Sequence, residues 1–211
     1  MANFAKPPTL NDDQRAVDIY RKAAVIIRAK GFGATSMGDI AEAVDLTKGG
    51  LYYYIKGKKA LLFAIMNFAL ELLETRVLHV GAEISEPRER LAQMLAGHLH
   101  LMLDESAAMI VLNDELDGLA PHHLERVLER KRRYSSVLES TVTELMDAEQ
   151  RTDRIAAEVA TGSLLSIIEG VVRWYDPKTS RFSQDEIVAQ IVQMALRGLG
   201  PAQGSQPGYG Y

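Results

Sequence analysis

The sequence predicts an all-α fold of nine helices. Apolar residues recur at three- and four-residue spacing almost throughout the 211 residues, the period that lines one side of a helix. The prolines (Pro7, Pro8, Pro87, Pro121, Pro177, Pro201 and Pro207) sit near the ends or at joints, where a missing N–H costs no helical ladder bond. No Asn-Gly or Asp-Gly signal separates alternating apolar runs, so the pattern for strand hairpins is missing.

The elements follow in order. Helix one runs from about Asp13 to Lys30, with Val17, Tyr20, Ala24, Ile27 and then Phe32 facing a small core. Gly31 supplies its stop. Helix two begins after Ser36, where Ser36 and Asp39 form an S-x-x-D arrangement able to satisfy two orphan N–H groups. Its apolar side is Met37, Ile40, Ala41 and Val44. Asp45 and Leu46 make a turn, and Leu46 plugs the angle between helices. Thr47 caps helix three, which covers Lys48 to about Tyr54 and turns Leu51, with Tyr54 or Ile55, inward. Gly57 breaks the chain. Helix four starts at Lys58 and continues to about Val80.

Five more helices follow: Pro87 to Glu105, Ala107 to Asp117, Pro121 to Ala148, Thr152 to Trp174, and a ninth ending near Leu199. Pro121 suits a first-turn position. Ser183 and Glu186 form a capping box before the ninth. The last stretch, residues 201–211, is rich in Gly, Gln, Pro and Ser and reads as a disordered tail.

Composition bounds the function. Hydrophobic residues make up 47% and charged residues 25%, ordinary values for a globular protein. No apolar run approaches the roughly 18 residues that cross a bilayer. The segment MANFAKPPTLNDDQ has no apolar core of a secretory signal. The absence of cysteine excludes disulfides, thiolate nucleophiles and Cys-based zinc sites. The expected location is cytoplasmic. Residues 1–59 hold 10 Lys+Arg against 6 Asp+Glu, a net of +4, whereas residues 60–211 hold 14 against 22, a net of -8. A basic head on an acidic body points to a polyanion met by the head alone.

The stretch from Gly31 to Leu61 carries the functional signal. Helix three is short and polar on one side, with Lys48, two glycines and three consecutive tyrosines before Lys56-Gly57-Lys58-Lys59. A helix-turn-helix needs an apolar brace on both helices, and a second helix whose N-terminal end reaches base edges in the major groove. Gly49 and Gly50 let backbone approach a duplex. Thr47 and Lys48 offer a hydroxyl and an ammonium to phosphate or base. Tyr52 and Tyr53 point away from Leu51. Lys58 opens helix four, where dipole and charge both favour phosphate. Thr35 and Ser36 hold the equivalent place at helix two. Phosphate contacts supply affinity, and base contacts supply specificity.

These residues resemble the N-terminal domain of the TetR family of transcriptional regulators. That pattern is G-[FY]-x-x-T-[ST]-[VM]-x-D-I-A, a short turn, [ST]-K-G-x-L-Y-x-[YH]-F, and a [KS]-K-x-x-L helix start. The chain reads GFGATSMGDIA, TKGGLYYYI and KGKKAL. Ile55 stands for the usual phenylalanine, Gly57 for a capping serine, and Lys59 where an acid is common. The resemblance implies a three-helix DNA-binding domain over residues 1–59 and a helical effector-binding and dimerisation domain over residues 60–200. It implies Thr35, Ser36, Thr47, Lys48, Gly49, Tyr52, Tyr53 and Lys58 as contacts to double-stranded operator DNA.

It also implies a homodimer through helices eight and nine. Helix eight carries Ala156, Ala160, Ser163 and Gly170 among Ile155, Val159, Ile167 and Val171, and helix nine carries Ile187, Ile191, Met194, Ala195 and Leu199. An effector cavity enclosed by helices four to eight is implied too, with Phe68, Leu72, Leu95, His98, Met102, Met109, Leu112, Asn113 and Trp174 as candidate lining residues. Residues 171–177 (VVRWYDP) and 111–119 (VLNDELDGL) resemble a subgroup that controls lipid, steroid and aromatic catabolism and senses acyl-CoA thioesters. An acyl-CoA would place its tail in the cavity. Arg130, Lys131, Arg132, Arg133 and Arg173 are cations available to its phosphates.

Neither a cofactor nor a metal is expected. The five histidines (His79, His98, His100, His122 and His123) contain no H-E-x-x-H, and His98 and His100 diverge by about 200° on a helix. No G-x-S-x-G or phosphate-binding loop is present. The expected function is a ligand-released repressor on a palindromic operator. The alternatives are an activator or effector-blind regulator of the same fold, and a small all-helical enzyme working in the central cavity.

Overall fold

The computed structural model describes residues 14–150 and 155–199. Among them there are nine helical runs and no strand. The first three are α1 (Gln14–Lys30), α2 (Met37–Ala43) and α3 (Lys48–Tyr54). Helix α4 is one continuous run over 58–82: regular from Lys58 to Leu73, a wider π turn at Glu74–Leu78, and a last turn at His79–Ala82. Then come α5 (Pro87–Asp104), α6 (Ser106–Asp114), α7 (Pro121–Ala148), α8 (Ala157–Trp174) and α9 (Gln184–Leu199).

The expected bounds hold within a few residues, with two corrections. Helix six was expected to reach Asp117, but it stops at Asp114 and the chain tightens into a 3-10 turn, Leu116–Gly118. Helix eight was expected from Thr152. That residue lies outside the described ones, and Ile155 and Ala156 are not helical. The expected start of helix one at Asp13 and the expected tail, residues 201–211, also lie outside the described residues. No single described helix is long and apolar enough to cross a membrane.

Packing divides the described residues into two compact units. The first unit combines residues 14–76 with 101–134. Both α1 and α4 lie against α6, and α1 also packs on α4. Tyr20, Ile27, Ile40, Leu51, Leu61, Leu62 and Ile65 are fully buried there. Burying a side chain of this size contributes about 1.5–3 kcal/mol each before entropy is counted. Polar pairs pin the same helices. Arg21 donates Nε to both carboxylate oxygens of Glu105, at 2.9 and 3.0 Å, and this partner raises the guanidinium's affinity for its proton. Arg130 on α7 grips Glu74 through Nε and Nη2, at 2.9 and 2.8 Å, and Asn67 through Nη1 at 2.7 Å. His123 stacks face to face on Phe63, with centroids 3.8 Å apart, and its Nδ1 is buried without a hydrogen-bond partner.

The second unit combines 77–100 with residues 135–150 and 155–199. Leu91, Leu99, Leu138, Val142, Leu145, Ile168 and Val171 form its interior. Arg90 on α5 donates to Glu144 at 2.7 Å, and Arg88 donates Nε to Glu149 at 2.7 Å. The expected capping box before α9 is formed: Glu186 accepts from the Ser183 N–H at 2.8 Å, and the Ser183 hydroxyl accepts from the Glu186 N–H at 3.3 Å. Those backbone and hydroxyl bonds hold the Glu186 carboxyl below its ordinary range.

Candidate nucleic-acid interface

Helices α2 and α3 are too short to persist alone, because isolated helices below about 12 residues are marginal in water. Caps and one buried stripe fix them. At α2 the full capping box is present: the Ser36 hydroxyl accepts the Asp39 N–H at 3.1 Å, and the Asp39 carboxylate accepts the Ser36 N–H at 2.7 Å. Lys30, at the end of α1, donates to the same carboxylate at 2.9 Å. The Ser36 bonds first, and then Lys30, hold Asp39 far below the usual carboxylate range. Asp45 takes φ +54 to reverse the chain after α2, a conformation Asp tolerates better than most residues. At α3 the Thr47 hydroxyl accepts the Gly50 N–H at 3.0 Å.

The inward stripe of this region is Ile40, Val44, Leu51 and Ile55, all buried. With Leu51 inward, the next two residues must turn away, since each helical step rotates by about 100°. Tyr52 is 46% exposed and Tyr53 is 85% exposed. Lys48, Gly49, Lys56 and Lys59 are exposed around them. A Cβ on Gly49 would meet nothing nearer than the Thr47 hydroxyl at 4.0 Å, so this backbone is open to an approaching surface. The result is a short rod with a hydroxyl, ammoniums and two phenols on its outer side. Such a surface can give hydrogen bonds and charge to phosphate, and ring edges to bases.

Ser36, Thr47, Lys48, Gly49, Tyr52 and Tyr53 therefore share the outer surface of the helix-turn-helix. Thr35 does not. It is buried, and its hydroxyl donates to the Gly31 carbonyl at 2.9 Å, so its side chain closes the turn before α2. Lys58 is half-buried. Its ammonium donates to the Gly33 carbonyl at 3.0 Å and lies 4.5 Å from the Phe32 ring centroid. It braces the α1–α2 turn from the start of α4. Gly57 just before it takes φ +132 and offers no side chain to cap α4. Sequence reasoning missed Lys30, whose signal was a basic last turn on α1 facing an acid in the next cap.

The residues expected to line a cavity are spread over both units. Phe68, Leu72, Met102, Met109 and Leu112 are buried in the first, where Asn113 accepts from Lys131 at 2.7 Å. Leu95 and His98 are buried in the second, and Trp174 is 61% exposed. Of the cations considered for phosphate, Arg130 is already committed to Glu74 and Asn67, while Arg132, Arg133 and Arg173 are exposed.

A second surface lies on α8. Val159, Gly162, Ser163, Ser166, Ile167 and Trp174 are exposed along one side. Both serines donate back to carbonyls four residues earlier, at 2.8 Å, so burying them leaves no hydroxyl hydrogen unpaired. On α9, Met194 is 56% exposed.

The profile of the tetR family of bacterial regulatory proteins matches residues 19–65, and that of the tetracyclin repressor-like C-terminal domain matches residues 85–199. The HTH-type transcriptional repressor KstR2 of Rhodococcus jostii is 25% identical over 202 residues, covering 92% of this chain and 97% of that protein. The crystal structure of AibR in complex with isovaleryl coenzyme A and operator DNA superposes with a TM-score of 0.76 at 29% identity, over 86% of this chain and 97% of the other. A TetR/AcrR-family regulator from Thermobifida fusca gives a TM-score of 0.66 at 32% identity, over 88% and 98% of the two chains.

Proposed function

We propose, from the premise that this chain belongs to the tetR family of bacterial regulatory proteins, that it is a homodimeric repressor which leaves a palindromic operator when an apolar metabolite binds. It is a DNA-binding transcriptional regulator of that family and not an enzyme. The observation that carries the reading is the outer side of α3, with Leu51 buried beneath and Lys48, Tyr52 and Tyr53 exposed above. In this reading residues 1–59 meet DNA, through Ser36, Thr47, Lys48, Gly49, Tyr52 and Tyr53, and Lys58 adds a phosphate contact only by swinging off the Gly33 carbonyl and the Phe32 ring. Residues 60–200 hold the effector and the partner subunit, and the protein works in the cytoplasm.

The exposed apolar and small residues of α8 and α9 support pairing with a second copy. An apolar side left in water is a cost that a partner removes. Two reading helices about 34–36 Å apart would then enter successive major grooves. An acyl-CoA thioester is the proposed effector class. AibR, which binds isovaleryl coenzyme A, supports it, as do the buried methionines Met102 and Met109, which suit an adaptable apolar lining. Release requires the effector to favour one arrangement of the reading heads over the other.

A gel shift with the DNA upstream of the protein's own gene tests the reading. Wild type shifts it, and Tyr52→Ala weakens binding at least about tenfold with an unchanged circular dichroism spectrum. Normal binding by this variant, alongside normal binding by Lys48→Ala, would remove α3 as the reading element. Thermal shift with isovaleryl-CoA and longer acyl-CoA esters, with free acids as controls, tests the effector class. No stabilisation by any thioester removes acyl-CoA and leaves the DNA reading intact.

A further inference from the structure

The turn between α1 and α2 is held by a part of the chain more than eighty residues away. Glu115 caps the end of α6, and its Oε1 accepts the Phe32 N–H at 3.0 Å. That N–H lies just beyond α1 and is part-buried, and it is the Glu115 carboxylate that takes it. Three residues on, Gly118 sits flush on the same residue. A Cβ there would lie 2.6 Å from Phe32 Cδ1 and 2.7 Å from Leu62 Cδ2, so only glycine lets the 3-10 turn seat this close. The Phe32 ring also receives the Lys58 ammonium, and the Thr35 hydroxyl closes the same turn onto Gly31. The next residue, Ser36, is the cap of α2. The place of this turn therefore fixes where α2 begins, and through α2 the direction of α3.

We propose that Glu115 and Gly118 are positioning residues for DNA recognition, clamping the α1–α2 turn through the Phe32 N–H and ring so that α3 is held at the bearing a specific site requires. The inference rests on the proposed DNA-reading role of α3. Glu115 touches no nucleotide in this scheme, and as an acid it would oppose a phosphate. Its contribution is to specific binding, where the geometry of base contacts matters, and not to the charge-driven term shared by all duplexes. A carboxylate aimed at one backbone N–H also separates from a merely structural acid by what replaces it. Gln keeps an acceptor oxygen at that place, and Ala does not.

The test uses the full chain and a duplex enriched by the wild-type protein from a random-sequence library. Glu115→Ala lowers affinity for that duplex about tenfold, while affinity for a scrambled duplex stays at the wild-type value and the melting temperature falls by only a few degrees, about the scale of one lost hydrogen bond in a chain of this length. Glu115→Gln stays within about threefold of wild type because its amide oxygen still accepts. Amide exchange at Phe32 speeds up in Glu115→Ala only. Gly118→Ala shifts specific binding in the same direction as Glu115→Ala. Equal binding by wild type, Glu115→Ala and Glu115→Gln overturns the clamp, and so does a parallel loss on both duplexes. Failure of wild type to enrich any duplex overturns the DNA reading itself, and this inference with it.

Discussion

Helices α3 and α8 both leave a side uncovered, and the chemistry at the middle of those sides differs. On α3, seven residues long, the open side carries an ammonium, a cap hydroxyl and two phenols. On α8, eighteen residues long, it carries valine, isoleucine, tryptophan and small residues whose hydroxyls are already satisfied, with charge only near its two ends, at Glu158 and Arg173. A polar, cationic side is content in water and gains from a polyanion. An apolar, close-approach side gains from a matching surface that expels water. The difference teaches that exposure alone does not identify a partner; the atoms left outside do.

The hardest blow to this contrast comes at α8. Val159→Glu combined with Met194→Glu places charge on both exposed apolar sides and turns the proposed dimer into a monomer by sedimentation. Operator affinity then falls about 10²- to 10⁴-fold, because two reading heads no longer act as one. A persistent dimer would break the comparison. Next is the brace under α3. Leu51 is fully buried, and Leu51→Ala costs about 2–5 kcal/mol in chemical denaturation, with DNA binding lost alongside.

Lys48→Ala acts more gently. It lowers affinity across all sequences and reduces the slope of log affinity against log salt by about one. An unchanged slope would say that Lys48 meets no phosphate. The smallest effect concerns His123. Burial first, then the neighbouring His122 and Arg126 charges, lower its affinity for a proton below the ordinary value of 6.5. The folded state thus favours neutral imidazole, so its contribution is full above pH 6.5 and declines as pH falls from there to the depressed folded value. His123→Phe keeps the stack on Phe63 and flattens that part of the stability curve in thermal melts from pH 8 to about 5. An identical curve would remove His123 from the acid response.

Most of the helix-turn-helix was legible because its determinants are local. The Ser36–Asp39 box, the Thr47 cap and the inward Leu51 each follow from residues within four positions of one another. Thr35 was misread for the same reason. Its neighbour Ser36 faces out, and only the fold of the turn onto Gly31 takes the threonine inward. The π turn at Glu74–Leu78 left no periodic trace, since the apolar spacing of α4 continues through it. Arg130 looked available beside three other cations, yet α4 and α7 meet where Glu74 and Asn67 claim it. The bond from Phe32 to Glu115 depends on α6 lying across the end of α1, a long-range fact that no local window contains. The nine residues expected around an effector were named by family likeness, and most of them are apolar residues that any helical core would bury.

Three residues separate α3 from α4, and one of them, Gly57, takes a backbone angle that side-chain-bearing residues seldom adopt. No atom crowds the spot where a Cβ would go, so a replacement would fit in space and still strain the chain by about 1–3 kcal/mol. In a genetic selection for cells that can no longer silence a target promoter, codon 57 should therefore be recovered repeatedly. The culprit protein would accumulate, and it would fail because its reading rod leaves the joint at the wrong heading.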